Sequence, residues 1–320
     1  MTERIHDDEP DTSERVVRAL LAAECPKWAQ ARLEYLRSSG TDNAMWRIRL
    51  GRDVGGGAGA DRDVVVRLPR RPQAAAGVLQ EIAVLQQIET STIGSMVATP
   101  RVRHVGQPHE CFAHHWSVLD WIDGTDAWTL RGSLDGQPIG KLAHDLAEAV
   151  VAIRQLSTHM VGEREPGSRG GPLVALLERL DGWLDNAAWN APALLDVDGV
   201  KRLAAQAREV VDEPVDQGFV HGDLIAGNLL VDSGRLRAII DWGGAGRGDT
   251  AQDLAPAWSV LTSAERPAFR ESVGVNDAAW IRGRTFELEH AVGGVLYYVP
   301  KRHPLGDVMT RTLDRLLADA

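Results

Sequence analysis

Three short apolar runs between residues 219 and 241 constrain the fold of this chain most, because each of them meets oxygen-bearing side chains at one end. The first run leads into His221-Gly-Asp223, and Asn228 stands directly before the second. Asp241 follows the third run, and a segment of Asp, Ser and Gly typical of a turn separates the last two. A hairpin of this kind places these carboxylate and amide groups at one edge.

Such a set of side chains suits phosphoryl transfer, which needs an aligned nucleophile and neutralised phosphate charge more than covalent help. Asp223 is the candidate base, because its carboxylate can accept the proton of a substrate hydroxyl and aim the oxygen at the γ-phosphorus. Asn228 and Asp241 are candidate Mg²⁺ ligands, since this ion takes oxygen ligands from few protein groups. Any one of them alone is more often a turn residue, but the combined spacing favours the chemical interpretation.

These residues resemble a known family, the aminoglycoside phosphotransferases (antibiotic kinases) and their relatives, which share the protein-kinase-like fold. In that family a His-Gly-Asp-x-x-x-x-Asn catalytic loop precedes an Asp-Trp/Phe-Gly-type metal-binding segment, similar to residues 221–228 and 241–243. Gly248–Leu254 is similar to the family's Gly-Asp-Pro-x-x-Asp-Leu, and the resemblance runs from about Gly40 to the C-terminus. One departure is Ile225-Ala226, where many members carry His-Pro.

The resemblance implies an α+β, bilobal protein-kinase-like fold, with a small β-rich N-terminal lobe and a large, mostly helical C-terminal lobe. It also implies that Asp223 is the catalytic base, that Asn228 and Asp241 hold Mg²⁺, and that ATP or GTP donates the phosphoryl group. Asp249 and Asp253 then have structural roles and hold the catalytic segments in place.

The order of predicted strands and helices divides the chain in a similar way. Strand patterns predominate before residue 121, and long helical patterns predominate after residue 138. We expect an N-terminal lobe over 1–119, which the resemblance makes nucleotide-binding, and a hinge over 120–124. The lobe over 125–320 then carries catalysis and acceptor binding. Residues 1–12 are too polar to pack and are expected to form a loose tail.

The glycine-rich segment 51–61 invites interpretation as a phosphate-binding loop. It lacks the Gly-Lys-Ser/Thr ending and no helical pattern follows it, so the P-loop and dinucleotide fingerprints are both excluded. A long hairpin loop between two strands is the favoured interpretation.

A buried ion pair is predicted between Arg67 and Glu81. On the helix predicted over 73–88, Glu81 projects from within the apolar face, and an inward carboxylate needs a partner because an unpaired buried charge is very costly. Arg67, on the preceding strand, is the natural partner. In relatives a strand lysine contacts the α/β-phosphates and pairs with a helix glutamate. Arg67 therefore stands in that lysine's place, with a longer and planar group.

Two further segments are candidates for nucleotide binding. The loop before the strand predicted at Met45–Leu50 can fold over a triphosphate and donate backbone N–H groups, although an ordinary hairpin turn is the alternative. Its candidate residues are Ser39, Gly40, Thr41 and Asn43. At the hinge, the resemblance implies that backbone groups of Asp120 and Ile122 hydrogen-bond a purine.

Several polar residues are candidates for binding the amines of an acceptor, although a solvated loop explains the first two equally well. They are Asp123, Asp126, Glu287, Glu289 and His290. The resemblance places the acceptor pocket in the C-terminal lobe. Arg282 and Arg284 argue in the opposite direction, because cations repel an aminoglycoside.

Charge and composition narrow the classes of partner. A formal net charge of −10 argues against a nucleic-acid binder, which normally carries a basic face. No apolar run approaches the length of about 18 residues that a membrane span needs, and the acidic N-terminus is unlike a secretory signal. Cys25 and Cys111 suit free thiols in a reducing cytosol. We expect a cytoplasmic protein whose partners are a nucleoside triphosphate and a small-molecule acceptor, with no nucleic acid and no membrane.

The leading hypothesis is an ATP- or GTP-dependent O-phosphotransferase that acts on an aminoglycoside. A macrolide 2′-phosphotransferase is the close alternative, because a larger and more apolar ring suits a chain with 10 tryptophans. A metabolic kinase for a sugar or amino alcohol and a catalytically silent kinase-like binding protein are further alternatives. Arg67 favours the silent protein, whereas the presence of Asp223, Asn228 and Asp241 opposes it.

Overall fold

The computed structural model of the protein describes residues 9–36, 42–51, 62–133, 137–186 and 194–319. The chain divides into two compact units. One combines Met1–Thr90 with Thr99–Asp123, and the other combines Ser91–Ala98 with Gly124–Ala320. Ser91–Ala98 thus belongs to the second unit, which the strand and helix patterns did not indicate.

The first unit is built on an antiparallel sheet of five strands in the order β1-β2-β3-β5-β4. The strands are β1 (Arg32–Leu36), β2 (Asn43–Arg49), β3 (Val64–Pro69), β4 (Val102–Gly106) and β5 (Trp116–Asp120). The central strand β3 is buried along its whole length, and its β-branched valines suit a pleated surface that is packed against neighbours. Helix α1 (Glu14–Glu24) contributes four buried side chains to the core, and α2 (Pro72–Glu89) contacts β3, β4 and β5.

The prediction of a loose tail is wrong for residues 9–12, which are the described part of that segment. Glu9 and Thr12 are buried. Arg70 Nη1 donates to Glu9 Oε2 at 2.8 Å, and the indole N–H of Trp46 donates to the Thr12 carbonyl at 3.0 Å. The segment packs despite its polarity because a buried guanidinium and a buried indole each gain a hydrogen-bond partner from it.

The second unit is mostly helical, and its long helix α10 packs against α6, α7 and α11. The helices are α3 (Thr92–Met96), α4 (Ala127–Ser133), α5 (Leu142–Arg154), α6 (Leu173–Leu184), α7 (Val197–Arg208), α8 (Pro256–Ser259), α9 (Arg266–Val273), α10 (Asp277–Tyr298) and α11 (Pro304–Leu317). Although helical patterns predominate in this part of the sequence, residues 250–259 form a 3₁₀ segment, Thr250–Leu254, followed by the short α8. Pro256 lacks the N–H that a continuous helix would need at that point.

Two small sheets carry the candidate site. β7 (Gln217–Val220) pairs antiparallel with β10 (Gly246–Asp249), and a second sheet has the order β6-β8-β9. Its strands are β6 (Thr125–Asp126), β8 (Leu229–Asp232) and β9 (Arg235–Ile239). The turn between β8 and β9 has two residues of positive φ, Ser233 at 50° and Gly234 at 73°. Such a turn matches the right-handed twist of paired strands, so the predicted hairpin is confirmed.

The fold class is α+β, as the sequence predicts, with a β-rich first unit and a helical second unit. The glycine-rich segment 51–61 lies outside the described residues except for Gly51. In the part of the chain that the structure describes, no helix has the length and apolar character needed to cross a membrane.

Candidate active site

The candidate catalytic segment begins where β7 ends, and Asp253 fixes its backbone. Asp253 is buried, and its two carboxylate oxygens accept the backbone N–H groups of His221 at 2.7 Å and Gly222 at 3.0 Å. Burial raises the pKa of Asp253 to about 6, against the opposing effects of these hydrogen bonds and of Arg154 and Arg164. The first turn of the segment is therefore held from beneath by a single carboxyl group.

Gly222 is required by the path of the backbone. Its φ is +78°, and a Cβ there would lie closer than 3.0 Å to the carbonyl oxygen of Gly244. Only glycine adopts this conformation without strain while the two backbones approach each other. The close approach brings the segment that follows β7 against the one that follows β9.

His221 ties the ends of the two segments together as a neutral ring. Burial lowers its pKa to about 4, and the ring packs on Trp242 with the centroids 4.5 Å apart. Its Nδ1 accepts the backbone N–H of Asp223 at 3.2 Å, so the ring proton resides on Nε2 and is donated to the Ile240 carbonyl at 3.2 Å. The histidine of the His-Gly-Asp motif thus fixes the backbone of Asp223.

Asn228 holds Asp223 directly. Its Nδ2 donates to the Asp223 carbonyl at 2.9 Å and to Asp223 Oδ2 at 3.0 Å. Because both bonds use the amide nitrogen, the amide oxygen Oδ1 faces away from Asp223 and is the atom that a cation would meet.

Asp241 lies beside Asn228 through the backbone. The N–H of Ile240 donates to the Asn228 carbonyl at 3.0 Å, which brings the start of β8 next to the residue that follows β9. Asp241 has φ 62° and ψ 66°, a left-handed conformation that is uncommon for a residue other than glycine. Such backbone conformations cluster at functional sites. The structure thus brings together the three residues that the sequence singled out.

Arg169 is a residue of this site that the sequence did not indicate. Its Nη1 donates to Asp223 Oδ1, and the two side chains are 32% and 25% exposed. Arg169 lies 54 residues before Asp223 in a loop between α5 and α6. No spacing rule connects them, and an arginine in a loop of glycine and serine has no local signal.

In the first unit, the predicted ion pair between Arg67 and Glu81 is present. Arg67 Nη1 donates to Glu81 Oε1, and the two side chains are only 8% and 11% exposed. Arg67 lies on β3 between Met45 of β2 and Ser117 of β5, and Glu81 lies on the buried face of α2. The inward carboxylate on the helix is thus compensated from the sheet.

The other nucleotide candidates are only partly described. Ser39, Gly40 and Thr41 lie outside the described residues, and Asn43 is the first residue of β2. The Asp120 carboxylate is bound by Arg103, with Nη2 to Oδ2 at 2.8 Å, and the Asp120 N–H donates to the Arg101 carbonyl at 2.9 Å. Its N–H is therefore taken, and of its backbone groups only the carbonyl suits the hinge role. Ile122 lies two residues beyond β5.

The acidic acceptor candidates have partners within their own units. Asp123 accepts from the Trp121 indole at 2.7 Å and from Arg47 Nη2 at 3.4 Å. Asp126 caps the start of α4 by accepting from the N–H and hydroxyl of Thr129, both at 2.8 Å. Both carboxylates therefore have structural roles within their own units.

The two acidic candidates on α10 are buried, and His290 is partly buried. Glu289 is buried and forms an ion pair with Arg179 at 2.6 Å. Glu287 is buried as well, with His290 Nδ1 3.5 Å from its carboxylate. Arg282, expected to oppose a cationic ligand, is buried and donates to Asp249 Oδ2 at 2.7 Å. These charged groups thus have partners within the second unit.

Comparisons with known proteins agree with this fold. A family model described as the phosphotransferase enzyme family matches residues 36–286. No curated protein matches the sequence. Among solved structures, the GDP and kanamycin complex of an aminoglycoside phosphotransferase has a TM-score of 0.69 and 17% identity, and the match covers 95% of this chain and 97% of that one.

Two further structures are similar over their whole length. The apoenzyme of a macrolide 2′-phosphotransferase from Brachybacterium faecium has a TM-score of 0.59 and 19% identity, covering 94% of this chain and 98% of that one. A thermostable mutant of another aminoglycoside phosphotransferase, in a ternary complex with AMP-PNP and hygromycin B, has a TM-score of 0.58 and 19% identity, covering 95% and 98%.

At these identities the structural similarity establishes the fold, which is the protein-kinase-like fold predicted from the catalytic motifs. The family model establishes more, because it spans well over half of the chain. This chain belongs to the phosphotransferase enzyme family and is an enzyme of the small-molecule kinase type.

Proposed function

We propose that the protein transfers the γ-phosphoryl group of ATP or GTP to a hydroxyl group of a small molecule, with Asp223 as the catalytic base. The observation that carries the proposal is the setting of Asp223, whose carboxylate is oriented by Asn228 and still 25% exposed. A base must be within hydrogen-bond reach of the proton that it takes, and an oriented, accessible carboxylate meets that requirement.

The reaction requires one base, which takes the proton of the acceptor hydroxyl. The acceptor oxygen attacks the γ-phosphorus, and the bond from that phosphorus to the bridging oxygen of the nucleotide breaks. The nucleoside diphosphate departs, and the hydroxyl proton passes to the Asp223 carboxylate. The hydrogen bond from Asn228 Nδ2 keeps the carboxylate from rotating away from the hydroxyl. Positioning of this kind is the main contribution of a protein to phosphoryl transfer.

We propose Mg²⁺ as the cofactor, held by Asn228 and Asp241. The donor set fits the ion, because the Asn228 amide turns its oxygen away from Asp223 and Asp241 adds a carboxylate at the adjoining segment. Hard oxygen ligands of this number are typical of Mg²⁺ sites that also bind nucleotide phosphates. When bound, the ion neutralises phosphate charge. The role of the protein is to hold these two side chains together through the Ile240–Asn228 backbone bond.

For the nucleotide, we propose that Arg67 contacts the phosphates while Glu81 holds its guanidinium in place. A guanidinium has five N–H donors in a planar fork, so one side chain can serve a carboxylate and a phosphate together. The carbonyl of Asp120 and the N–H of Ile122 are proposed to meet the purine. Ser39, Gly40, Thr41 and Asn43 are proposed to lie over the triphosphate.

For the acceptor, we propose an aminoglycoside first, supported by the aminoglycoside phosphotransferases of the same fold. A macrolide is the second candidate. It is favoured by the state of the acidic residues predicted to bind amines, because Asp126 caps a helix and Glu289 pairs with Arg179. A neutral sugar or amino alcohol is compatible with the same observation. A silent binding protein has no use for the oriented carboxylate of Asp223.

The proposal is tested with purified full-length protein, Mg²⁺ and either ATP or GTP against a panel of aminoglycosides, macrolides and sugars. Transfer is detected by mass spectrometry as the gain of one phosphoryl group by the acceptor. We expect Asp223→Ala to lower turnover by about 10²–10⁴-fold while the affinity for ADP or GDP is retained. Asp232→Ala, an exposed position in the same hairpin, is the matched control. Full transfer by Asp223→Ala would show that the assigned base is wrong.

A further inference from the structure

The contact between Arg169 and Asp223 needs a chemical explanation. Asp223 Oδ1 accepts from Arg169 Nη1, and Oδ2 accepts from Asn228 Nδ2. A guanidinium on a carboxylate stabilises its charged form and so weakens it as a base. An arginine placed here is a disadvantage for proton acceptance unless it serves another purpose in the reaction.

The loop that carries Arg169 is fixed at both ends on β10. The N–H of Arg164 donates to the Arg247 carbonyl, and the N–H of Arg247 donates to the Gly162 carbonyl, each at 2.8 Å. At the other end, the N–H of Asp249 donates to the Gly170 carbonyl at 2.9 Å. Arg169 is therefore presented to Asp223 by an anchored backbone.

Arg164 acts as a positioning residue for Arg169. Its Nε donates to the Arg169 carbonyl at 2.6 Å. Its side chain lies over Gly246 and Gly248, where a Cβ would come closer than 3.0 Å to Arg164 carbon atoms. Both glycines therefore make room for the arginine that supports the backbone of Arg169. An incidental surface contact would not need such support.

The catalytic segment itself supplies no cation to a phosphoryl group. Residues 221–228 contain neither lysine nor arginine, and His221 is neutral because burial lowers its pKa to about 4. The transition state of phosphoryl transfer spreads negative charge over three oxygens and is stabilised by positive groups fixed nearby. Arg169, which is partly exposed beside Asp223, has the charge and the access that this task requires.

Distance supports the same assignment. The attacking oxygen is about 2.6–3.2 Å from the base and about 3–3.5 Å from the phosphorus when transfer begins. A guanidinium bonded to the same carboxylate therefore has its other donors close to the phosphoryl oxygens. Its five N–H groups allow one side chain to bond to a carboxylate and a phosphoryl oxygen together.

We propose that Arg169 is a further catalytic residue of this enzyme, whose guanidinium hydrogen-bonds the γ-phosphoryl oxygens during transfer while it is held beside Asp223. The proposal rests on the proposed function. When the acceptor proton passes to Asp223, the carboxylate loses its charge and its attraction for Arg169 falls. The guanidinium keeps its own protons throughout, and the phosphoryl oxygens become its main anionic partner. The cation that weakens the base thus stabilises the group that the base helps to transfer.

The test does not need the natural acceptor. Mg²⁺-dependent hydrolysis of ATP and GTP is measured with water as acceptor, together with Kd for ADP and GDP in the absence and presence of aluminium fluoride. With a bound diphosphate, aluminium fluoride resembles the phosphoryl group in the transition state of transfer. The variants are Arg169→Ala, Arg169→Gln and Arg169→Lys. Arg208→Ala is the matched control, because that guanidinium pairs with Asp181 at the surface, away from the loop that carries Arg169.

We expect Arg169→Ala to lower kcat for hydrolysis by about 10²–10³-fold, the usual effect of removing one donor to a developing charge. Kd for the diphosphate alone should stay within about threefold of wild type, whereas the tighter binding caused by aluminium fluoride should be lost. Arg169→Lys should have a kcat between those of Arg169→Ala and wild type, because lysine offers a point charge without the planar fork. Arg208→Ala should behave as wild type.

Two outcomes would overturn the proposal. Hydrolysis by Arg169→Ala at or above the wild-type rate would mean that the arginine only blocks the base. An unchanged effect of aluminium fluoride, alongside a lowered melting temperature and weaker diphosphate binding, would mean a purely structural role. If Arg169→Ala does not fold, the same two quantities are measured on Arg169→Gln. They are kcat for hydrolysis and the ratio of the diphosphate Kd without aluminium fluoride to the Kd with it. If Asp223→Ala keeps hydrolysis, the proposed function fails instead, so the two failures are distinguishable.

Discussion

Removal of Glu81 tests the energetics of the first unit. The Arg67 and Glu81 side chains are only 8% and 11% exposed, so water screens their charges little. Glu81→Ala leaves the guanidinium of Arg67 buried without its carboxylate. Loss of one partner from a buried ion pair costs about 3–5 kcal/mol. We therefore expect the free energy of unfolding to fall by that amount.

The same sheet supplies a matched control. Arg49 Nε lies 2.9 Å from Glu34 Oε2, and these side chains are 42% and 44% exposed. Water screens such a pair, and its contribution is about 0–1 kcal/mol. Glu34→Ala should thus cost at least about 2 kcal/mol less than Glu81→Ala, although each variant removes one carboxylate from one arginine.

The measurement is urea unfolding followed by tryptophan fluorescence, to which Trp46 and Trp116 in the core of this unit contribute. The double variant Arg67→Met with Glu81→Leu should recover most of the loss, since an apolar pair of similar volume does not leave a buried charge. Equal costs for Glu81→Ala and Glu34→Ala would refute the reasoning. Unchanged affinity of Glu81→Ala for ADP, with an unchanged melting temperature, would also remove the proposed role of the pair in nucleotide binding.

Two further predictions concern the second unit. The folded pKa of Asp253 is about 6 against 3.8 for the ordinary group, so its stabilising effect is present below pH 3.8 and lost as the pH rises through 6. The unfolding free energy of wild type minus that of Asp253→Asn should fall by about 3 kcal/mol over this range; a flat difference in urea titrations would contradict the assignment. Gly248→Ala places a Cβ within 3.0 Å of the Gly170 carbonyl and should cost about 1–3 kcal/mol. Gly182→Ala, a helical site with open space, should gain about 0.5–1 kcal/mol, and equal melting temperatures would refute the steric argument.

The parts of the structure that the sequence predicts are those determined by local pattern. The β8–β9 hairpin follows from two apolar runs around a turn sequence, and its ends place Asn228 and Asp241 without reference to the rest of the chain. The pairing of Arg67 with Glu81 follows from the period of one helix and from the strand before it, because Arg67 is the one cationic residue of that strand. In both cases, short segments contain the whole argument.

The parts that the sequence did not predict depend on distant segments. Arg169 reaches Asp223 only because the loop before α6 lies on β10, and no pattern in either segment encodes that contact. Glu9 and Thr12 are polar, so composition assigns them to a loose tail, yet Arg70 and Trp46 bury them. Glu289 has the composition of an acceptor ligand but already pairs with Arg179. Charge alone does not indicate whether a side chain serves a ligand or the fold.

Arginine at position 67 follows a general preference of this chain for arginine over lysine. Of the 35 cationic residues, four are lysine and the other 31 are arginine. Buried ion pairs in the described residues follow this preference, as with Arg70–Glu9 and Arg282–Asp249. A planar guanidinium keeps its charge when buried and serves two partners at fixed angles, whereas a buried lysine readily loses its proton. We therefore expect Arg67 to serve in place of the family's lysine, since it pairs with Glu81 and a guanidinium has five N–H donors in a planar fork.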